Sequence, residues 1–237
     1  LRYAIYFAPA PDTGLTRAAN HWLGRDAFTG EILDAPSQLS LPQEQWRELV
    51  AEPQRYGFHA TLKAPFNLRE GRTEVELIDA FEAFAASTEP FEIPQAIIGQ
   101  LGPFFALVPH SPHPPLQEFA AKVVEAFEPF RAPLSDADIA RRKPERLSEA
   151  QRTNLHTWGY PYVMDEFRFH MTLTGPVEAE FAPRVHDELS PRFSAHDGAP
   201  LPIDGLALFI ERNRGEPFTI HRWQPLGVPQ HQRKMLP

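Results

Sequence analysis

The chain has 237 residues, 42% of them hydrophobic and 23% charged, and a formal net charge of −8. That length suits one large domain or two small lobes with a real core, and the acidic balance argues against a protein that grips duplex nucleic acid through its phosphates. It has no cysteine, which excludes disulfides, thiolate metal sites and thiol nucleophiles. No apolar run approaches the roughly 18 residues of a membrane span, the longest being Ala4–Ala8, Phe104–Val108 and Leu206–Ile210. With no signal-peptide pattern, the cytosol is the expected location.

Leu1–Ala8 reads as a β-rich opening strand. Thr16–Leu23 predicts a helix stopped by Gly24, and Phe28–Pro36 is turn-rich. A helix over Pro42–Glu52 is opened by a possible capping box, Ser40-x-x-Gln43. A strand follows over about Arg55–Phe66. Thr73-x-x-Glu76 is a second capping box, and Val75, Leu77, Ile78, Phe81, Phe84 and Ala85 continue from it at helical spacing. Phe91–Leu101 and Pro103–Pro109 predict two strands turning at Gly102. Leu116, Phe119, Ala120, Val123 and Phe127 mark a long helix, and the charged Arg131–Arg146 segment is the best candidate for a mobile connection. Ser148-x-x-Gln151 opens a helix that Gly159 closes. A strand over about Asp165–Thr174, a helix over Val177–Leu189, and a hairpin of Leu206–Glu211 and Phe218–Trp223 complete the chain.

Two of these strands carry nearly the same message. Residues 56–65 read Tyr-Gly-Phe-His-Ala-Thr-Leu-Lys-Ala-Pro, and residues 167–176 read Phe-Arg-Phe-His-Met-Thr-Leu-Thr-Gly-Pro. In a strand, residues i and i+2 share a face, so each segment presents an imidazole beside a hydroxyl: His59 with Thr61, and His170 with Thr172. The order of elements after the two motifs also repeats. The expectation is an α+β, bilobal, duplicated fold in which two mostly antiparallel sheets form a central cleft with helices outside, all within a single domain over 1–237.

Parity puts Lys63 with the first pair and Arg168 with the second, either as cations that offset phosphate charge or as strand-end residues reaching water. Tyr56, Phe58, Leu62, Phe167, Phe169 and Leu173 fall on the opposite, core-facing side. Tyr3, Tyr6, Trp158, Tyr160 and Tyr162 are candidates for the cleft wall, although core packing is the better assignment for most of them. His110 and His113 lie in a Pro-rich turn whose spacing suits a metal, without an acidic residue to complete the set. His21, His156, His186, His196, His221 and His231 have no repeated context. The chain has no P-loop, no Gly-x-Gly-x-x-Gly, no His-Glu-x-x-His and no Gly-x-Ser-x-Gly.

Paired His-x-Thr-hydrophobic motifs on two strands of a duplicated chain resemble the 2H phosphoesterase superfamily, which includes RNA 2′,3′-cyclic phosphodiesterases and 2′–5′ RNA ligase-like proteins. The longer segments Arg55–Phe66 and Trp158–Gly175 are similar to a bacterial branch associated with phosphonate metabolism and carbon–phosphorus lyase genes. The resemblance implies a V-shaped cleft, His59 and His170 as the catalytic pair, Thr61 and Thr172 as phosphate ligands, and no metal or other cofactor. The expected activity is metal-independent hydrolysis of a small cyclic phosphate or related phosphodiester. The expected partner is that substrate alone, with neither duplex nucleic acid nor membrane. Two other functions fit the same residues: a non-catalytic binder of nucleotides or RNA ends in the same cleft, and a metal phosphodiesterase using His110 and His113.

Overall fold

The computed structural model describes residues 1–227. The opening strand β1 (Arg2–Phe7) runs into helices α1 (Gly14–Leu23) and α2 (Gln43–Tyr56). Strand β2 (Ala60–Phe66), helix α3 (Glu74–Ser87), short strand β3 (Phe91–Ile93) and the hairpin β4 (Ala96–Leu101) and β5 (Phe104–Pro109) follow. Helices α4 (Pro114–Phe127), α5 (Asp136–Arg141) and α6 (Glu149–Trp158) connect this half to the next. The order then recurs: β6 (Met171–Thr172), α7 (Ala182–Phe193), β7 (Leu201–Ile203) and the hairpin β8 (Gly205–Glu211) and β9 (Thr219–Pro225).

Seven strands form one antiparallel sheet in the order β4-β5-β6-β2-β1-β8-β9, and β3 pairs antiparallel with β7 in a small second sheet. The fold is α+β. The strands of the two halves meet where β2 pairs with β6 at Ala60 and Met171, so the two expected sheets are continuous at that seam. Each half's hairpin lies beyond the other half's motif strand: β5 flanks β6, and β8 reaches β2 through β1.

Helices α1, α2, α3, α4 and α7 bury their apolar stripes in one large core with Tyr3, Ile5 and Phe7 of β1. The alternate residues Ala4, Tyr6 and Ala8 pack on the opposite face with Ala27, Ala207, Phe209 and Phe218. Helix starts follow their caps: Thr73 with Glu76, and Ser148 with Gln151, both form complete capping boxes. Gly24 and Gly159 close α1 and α6 in the left-handed region, at φ 70° and 78°.

Several expectations are corrected. Ser40 does not cap α2; its hydroxyl and amide bind Glu188 of α7 instead, and Pro42 stands at the helix start without a side-chain cap. Helix α2 runs four residues further than expected, through Pro53 to Tyr56. Phe91–Leu101 is two strands in different sheets, divided at Pro94 and Gln95. The charged 131–146 segment is ordered as α5, capped by Ser135, and a 3-10 turn at Pro144–Arg146. The strand expected over 165–174 begins as a 3-10 turn at Met164–Glu166 and pairs only at Met171–Thr172.

Candidate active site

The seam between the halves places the two motifs side by side. Ala60 and Met171 are opposed in the antiparallel β2–β6 pair, and both are fully buried toward the helices. Continuing that register by one residue sets His59 across from Thr172 and Thr61 across from His170. Phe58, Leu62, Phe169 and Leu173 are buried on the core side, whereas His59, Thr61, His170 and Thr172 are only partly buried on the other. The result is a locally two-fold arrangement of two imidazoles and two hydroxyls. All four side chains line one cavity of about 340 Å³.

Both rings are held alike. His59 Nδ1–H donates to the Gly57 carbonyl at 2.9 Å, and His170 Nδ1–H donates to the Arg168 carbonyl at 2.7 Å. These bonds fix the tautomer and leave each Nε2 as the acceptor available to chemistry. His59 Nε2 lies 3.2 Å from the Thr61 hydroxyl. The Tyr6 ring stacks on His59 with centroids 3.9 Å apart, and Phe104 lies 5.7 Å from His170. Burial lowers the pKa of His59 from 6.5 to about 4, offset by the Gly57 bond and deepened by His170 nearby. Burial lowers that of His170 as well, offset by the Arg168 carbonyl.

Lys63 is not in this cavity. Its ammonium is buried against α4, donating to the Val124 carbonyl at 3.0 Å and pairing with Glu128 at 2.8 Å. The cause is a β-bulge. Tyr6 pairs with Thr61 but Ile5 pairs with Lys63, so β2 carries an extra residue at Leu62 and the alternation of faces reverses there, ahead of a second shift between Lys63 and Phe66. Arg168 is displaced too. Its guanidinium donates to the carbonyls of Asp165 and Phe167, and it lines a separate groove of about 970 Å³. The chain there has not yet joined a ladder, so strand parity does not extend back to it.

His110 and His113 line that larger groove, away from the motif pair. Among the described residues, no group of three or more His, Asp or Glu could share a metal ion. His231 lies outside the described residues. Of the aromatic candidates, Tyr6 and Tyr160 line the histidine cavity and Tyr3, Trp158 and Tyr162 do not. Tyr56, expected on the core-facing side, lines it too, because it ends α2 and strand parity does not reach it; sequence reasoning missed Arg2, Glu52, Phe104 and Arg142, which also line it. They come from β1, α2, β5 and the end of α5, and no motif spacing links them. Thr174 reaches the cavity wall, but its hydroxyl is engaged with the Phe105 amide and the Gly175 carbonyl.

The chain is thus a duplicated α+β fold that sets a His-x-Thr pair on each of two neighbouring strands. Its residues 61–219 match the family described as "Protein of unknown function (DUF1045)", and the chain belongs to that family. Two curated relatives are named "Ribose 1,5-bisphosphate phosphokinase PhnN". The one from Janthinobacterium sp. (strain Marseille) is 35% identical over 241 residues, covering 100% of this chain and 53% of the relative. The one from Laribacter hongkongensis (strain HLHK9) is 35% identical over 224 residues, covering 94% and 51%. The chain thus spans about half the length of the curated relatives it matches. Solved structures similar to it include a phosphoesterase (TM-score 0.44, 14% identity, 95% of this chain and 97% of that one). Another is E. coli LigT complexed with 3′-AMP (TM-score 0.43, 14% identity, 95% and 97%).

Proposed function

We propose that the chain hydrolyses a small cyclic phosphodiester, without a metal, using His59 and His170 as a general acid and base pair. The observation that carries this is the shared cavity in which each Nδ1–H is tied to a main-chain carbonyl, which leaves Nε2 as the proton-transfer atom of both rings, that of His59 beside the Thr61 hydroxyl. A volume of about 340 Å³ suits a sugar phosphate better than a polymer.

One imidazole, neutral, takes a proton from water as the water oxygen bonds to phosphorus. The ring P–O bond breaks, and the departing oxygen takes a proton from the other, protonated imidazole. The net change is cyclic diester plus water to monoester plus hydroxyl. Thr61 and Thr172 donate hydroxyl hydrogens to the non-bridging oxygens as negative charge develops. Tyr6, stacked on His59, holds that ring in its plane.

Burial favours the neutral form of both imidazoles. The acid therefore gains its proton with the anionic substrate, whose charge favours imidazolium. The pH profile of kcat/KM should be a bell lying below the ordinary histidine range, with that of kcat displaced to higher pH. His59→Ala and His170→Ala should each lower kcat by about 10²–10⁴-fold on a nucleoside 2′,3′-cyclic phosphate, and EDTA should leave the parent rate unchanged. An active double variant, or activity lost to EDTA and restored by a divalent ion, would overturn the assignment.

The relatives' kinase name describes chains about twice as long, and the present chain has no glycine-rich phosphate loop. We therefore place the kinase in their other half; ATP-dependent phosphorylation of ribose 1,5-bisphosphate by this chain would contradict that. A hydrolase joined to an enzyme acting on a ribose phosphate favours a ribosyl ester as substrate and a role in phosphonate metabolism. Non-catalytic binding in the same cleft would show as affinity for cyclic phosphates with no turnover.

A further inference from the structure

The histidine cavity adjoins a second cavity of about 390 Å³, and the two share Arg2, Tyr56, Pro65 and Arg142 as lining residues. Arg2, Arg55, Arg141, Arg142 and Arg214 border this second space, and Asp138 is the one carboxylate among its lining residues. Such a concentration of cations is notable on a chain of net charge −8.

Structural pairing accounts for most of it. Arg2 and Arg55 both bind the buried Glu211, at 2.5 Å each. Arg214 and Arg141 share Asp138, at 2.6 and 3.5 Å, which ties α5 to the turn between β8 and β9. Four guanidinium groups thus meet two carboxylates. Arg142 meets none among the described residues. It stands at the end of α5, exposed, with its guanidinium 4.9 Å from the centre of the Tyr160 ring. Contact with the ring steadies the guanidinium and leaves its N–H donors free. Arg142 lines both cavities, and with both carboxylates counted the local charge is still about +3, five arginines less two acids.

We propose that the second cavity is a subsite for a phosphate monoester carried by the substrate, with Arg142 as its principal ligand. The substrate would then bear two phosphate groups: a cyclic diester at the histidines and a terminal monoester among the arginines. A pentose or nucleoside cyclic phosphate with a 5′-phosphate has that chemistry. The excess positive charge is enough to offset a dianion, and a guanidinium fork binds phosphate through paired hydrogen bonds. The subsite rests on the proposed hydrolysis only for the identity of the first group.

The test compares kcat/KM for adenosine 2′,3′-cyclic phosphate with and without a 5′-phosphate, and measures binding of ribose 5-phosphate to the full chain by calorimetry. The parent should prefer the 5′-phosphorylated substrate by roughly 10–100-fold, the scale of one or two charge-assisted hydrogen bonds. Arg142→Ala should bring that ratio toward one and weaken ribose 5-phosphate binding to a similar degree, with Arg142→Lys recovering part of both. A parent ratio near one, or ribose 5-phosphate binding unchanged in Arg142→Ala, overturns the proposal. So does inorganic phosphate binding that depends on Arg142 without any preference between the two substrates, which would mark a site for the free anion. If neither cyclic phosphate is turned over, the hydrolytic reading fails and the binding comparison alone decides the subsite.

Discussion

In both motifs the Nδ1 proton is held by the carbonyl two residues upstream, Gly57 for His59 and Arg168 for His170. The sequence could not show that bond, because it depends on the backbone turning just before each strand. Gly57, at φ 77°, makes the first of those turns, and an added Cβ there would lie 2.4 Å from Ala27 Cβ. The pairing of imidazole with hydroxyl was legible from alternation alone, as far as Thr61. It failed at Lys63 because an extra residue at Leu62 reverses the faces there, and a bulge has no reliable composition signal. Lys63 therefore belongs to stability. Lys63→Met strips the Val124 carbonyl and Glu128 of a donor, though Glu128 keeps Arg131 at 2.6 Å. Chemical denaturation should show a loss of about 1–3 kcal/mol, with kcat per folded molecule unchanged. Unaltered stability with lost activity would return Lys63 to the cleft.

At the scale of elements, α2 positions the second motif through a proline. Pro53 lies inside the last turn of α2 and has no N–H to give the Leu49 carbonyl. That carbonyl instead accepts the Gly175 N–H at 2.6 Å, which anchors the chain just beyond Thr172 and Thr174 to the wall of the histidine cavity. Restoring the donor with Pro53→Ala sets a helical bond in competition with that anchor. Hydrogen exchange at the Gly175 amide should accelerate, and kcat should fall several-fold while the midpoint of global unfolding moves little. Exchange as slow as in the parent would show that the anchor does not need the proline. Capping chemistry was readable where it is local, as at Thr73 and Ser148. It misled at Ser40, whose partner Glu188 is 148 positions away. The 131–146 segment looked like a connection because its charges have no apolar period. Its order comes instead from Ser135 and from the Asp138–Arg214 pair.

For the molecule as a whole, the cleft makes stability depend on acid. His59 has its pKa lowered from 6.5 to about 4 in the fold, so the unfolded chain binds its proton first as pH falls. The contribution of neutral His59 is complete above pH 6.5 and is lost progressively down to about pH 4, amounting to about 3 kcal/mol at most. His170 shifts in the same direction. Paired carboxylates such as Glu128 and Glu211 have pKa values lowered below 4.5, so their loss falls at more acid pH. The free energy of unfolding should decline between pH 6.5 and 4, and less steeply in His59→Gln; equal slopes would mean that His59 titrates normally. The α+β class and the duplication were legible because order and spacing recur. The exchange of hairpins between the halves was not, since antiparallel pairing leaves no mark in one strand of its partner.

That exchange governs how the chain must assemble. Closing β1 onto β8 joins Arg2 to Glu211, 209 positions apart, whereas the first motif strand has its own two neighbours in β1 and β6. Neither half contains a complete set of strand partners, and a nascent chain cannot finish its first half until most of the second has been made. Loop closure over such distances is entropically costly and slow. The histidine pair, astride the β2–β6 seam, needs only the chain through Thr172, so the two imidazoles can meet before β8 and β9 close the far edge of the sheet.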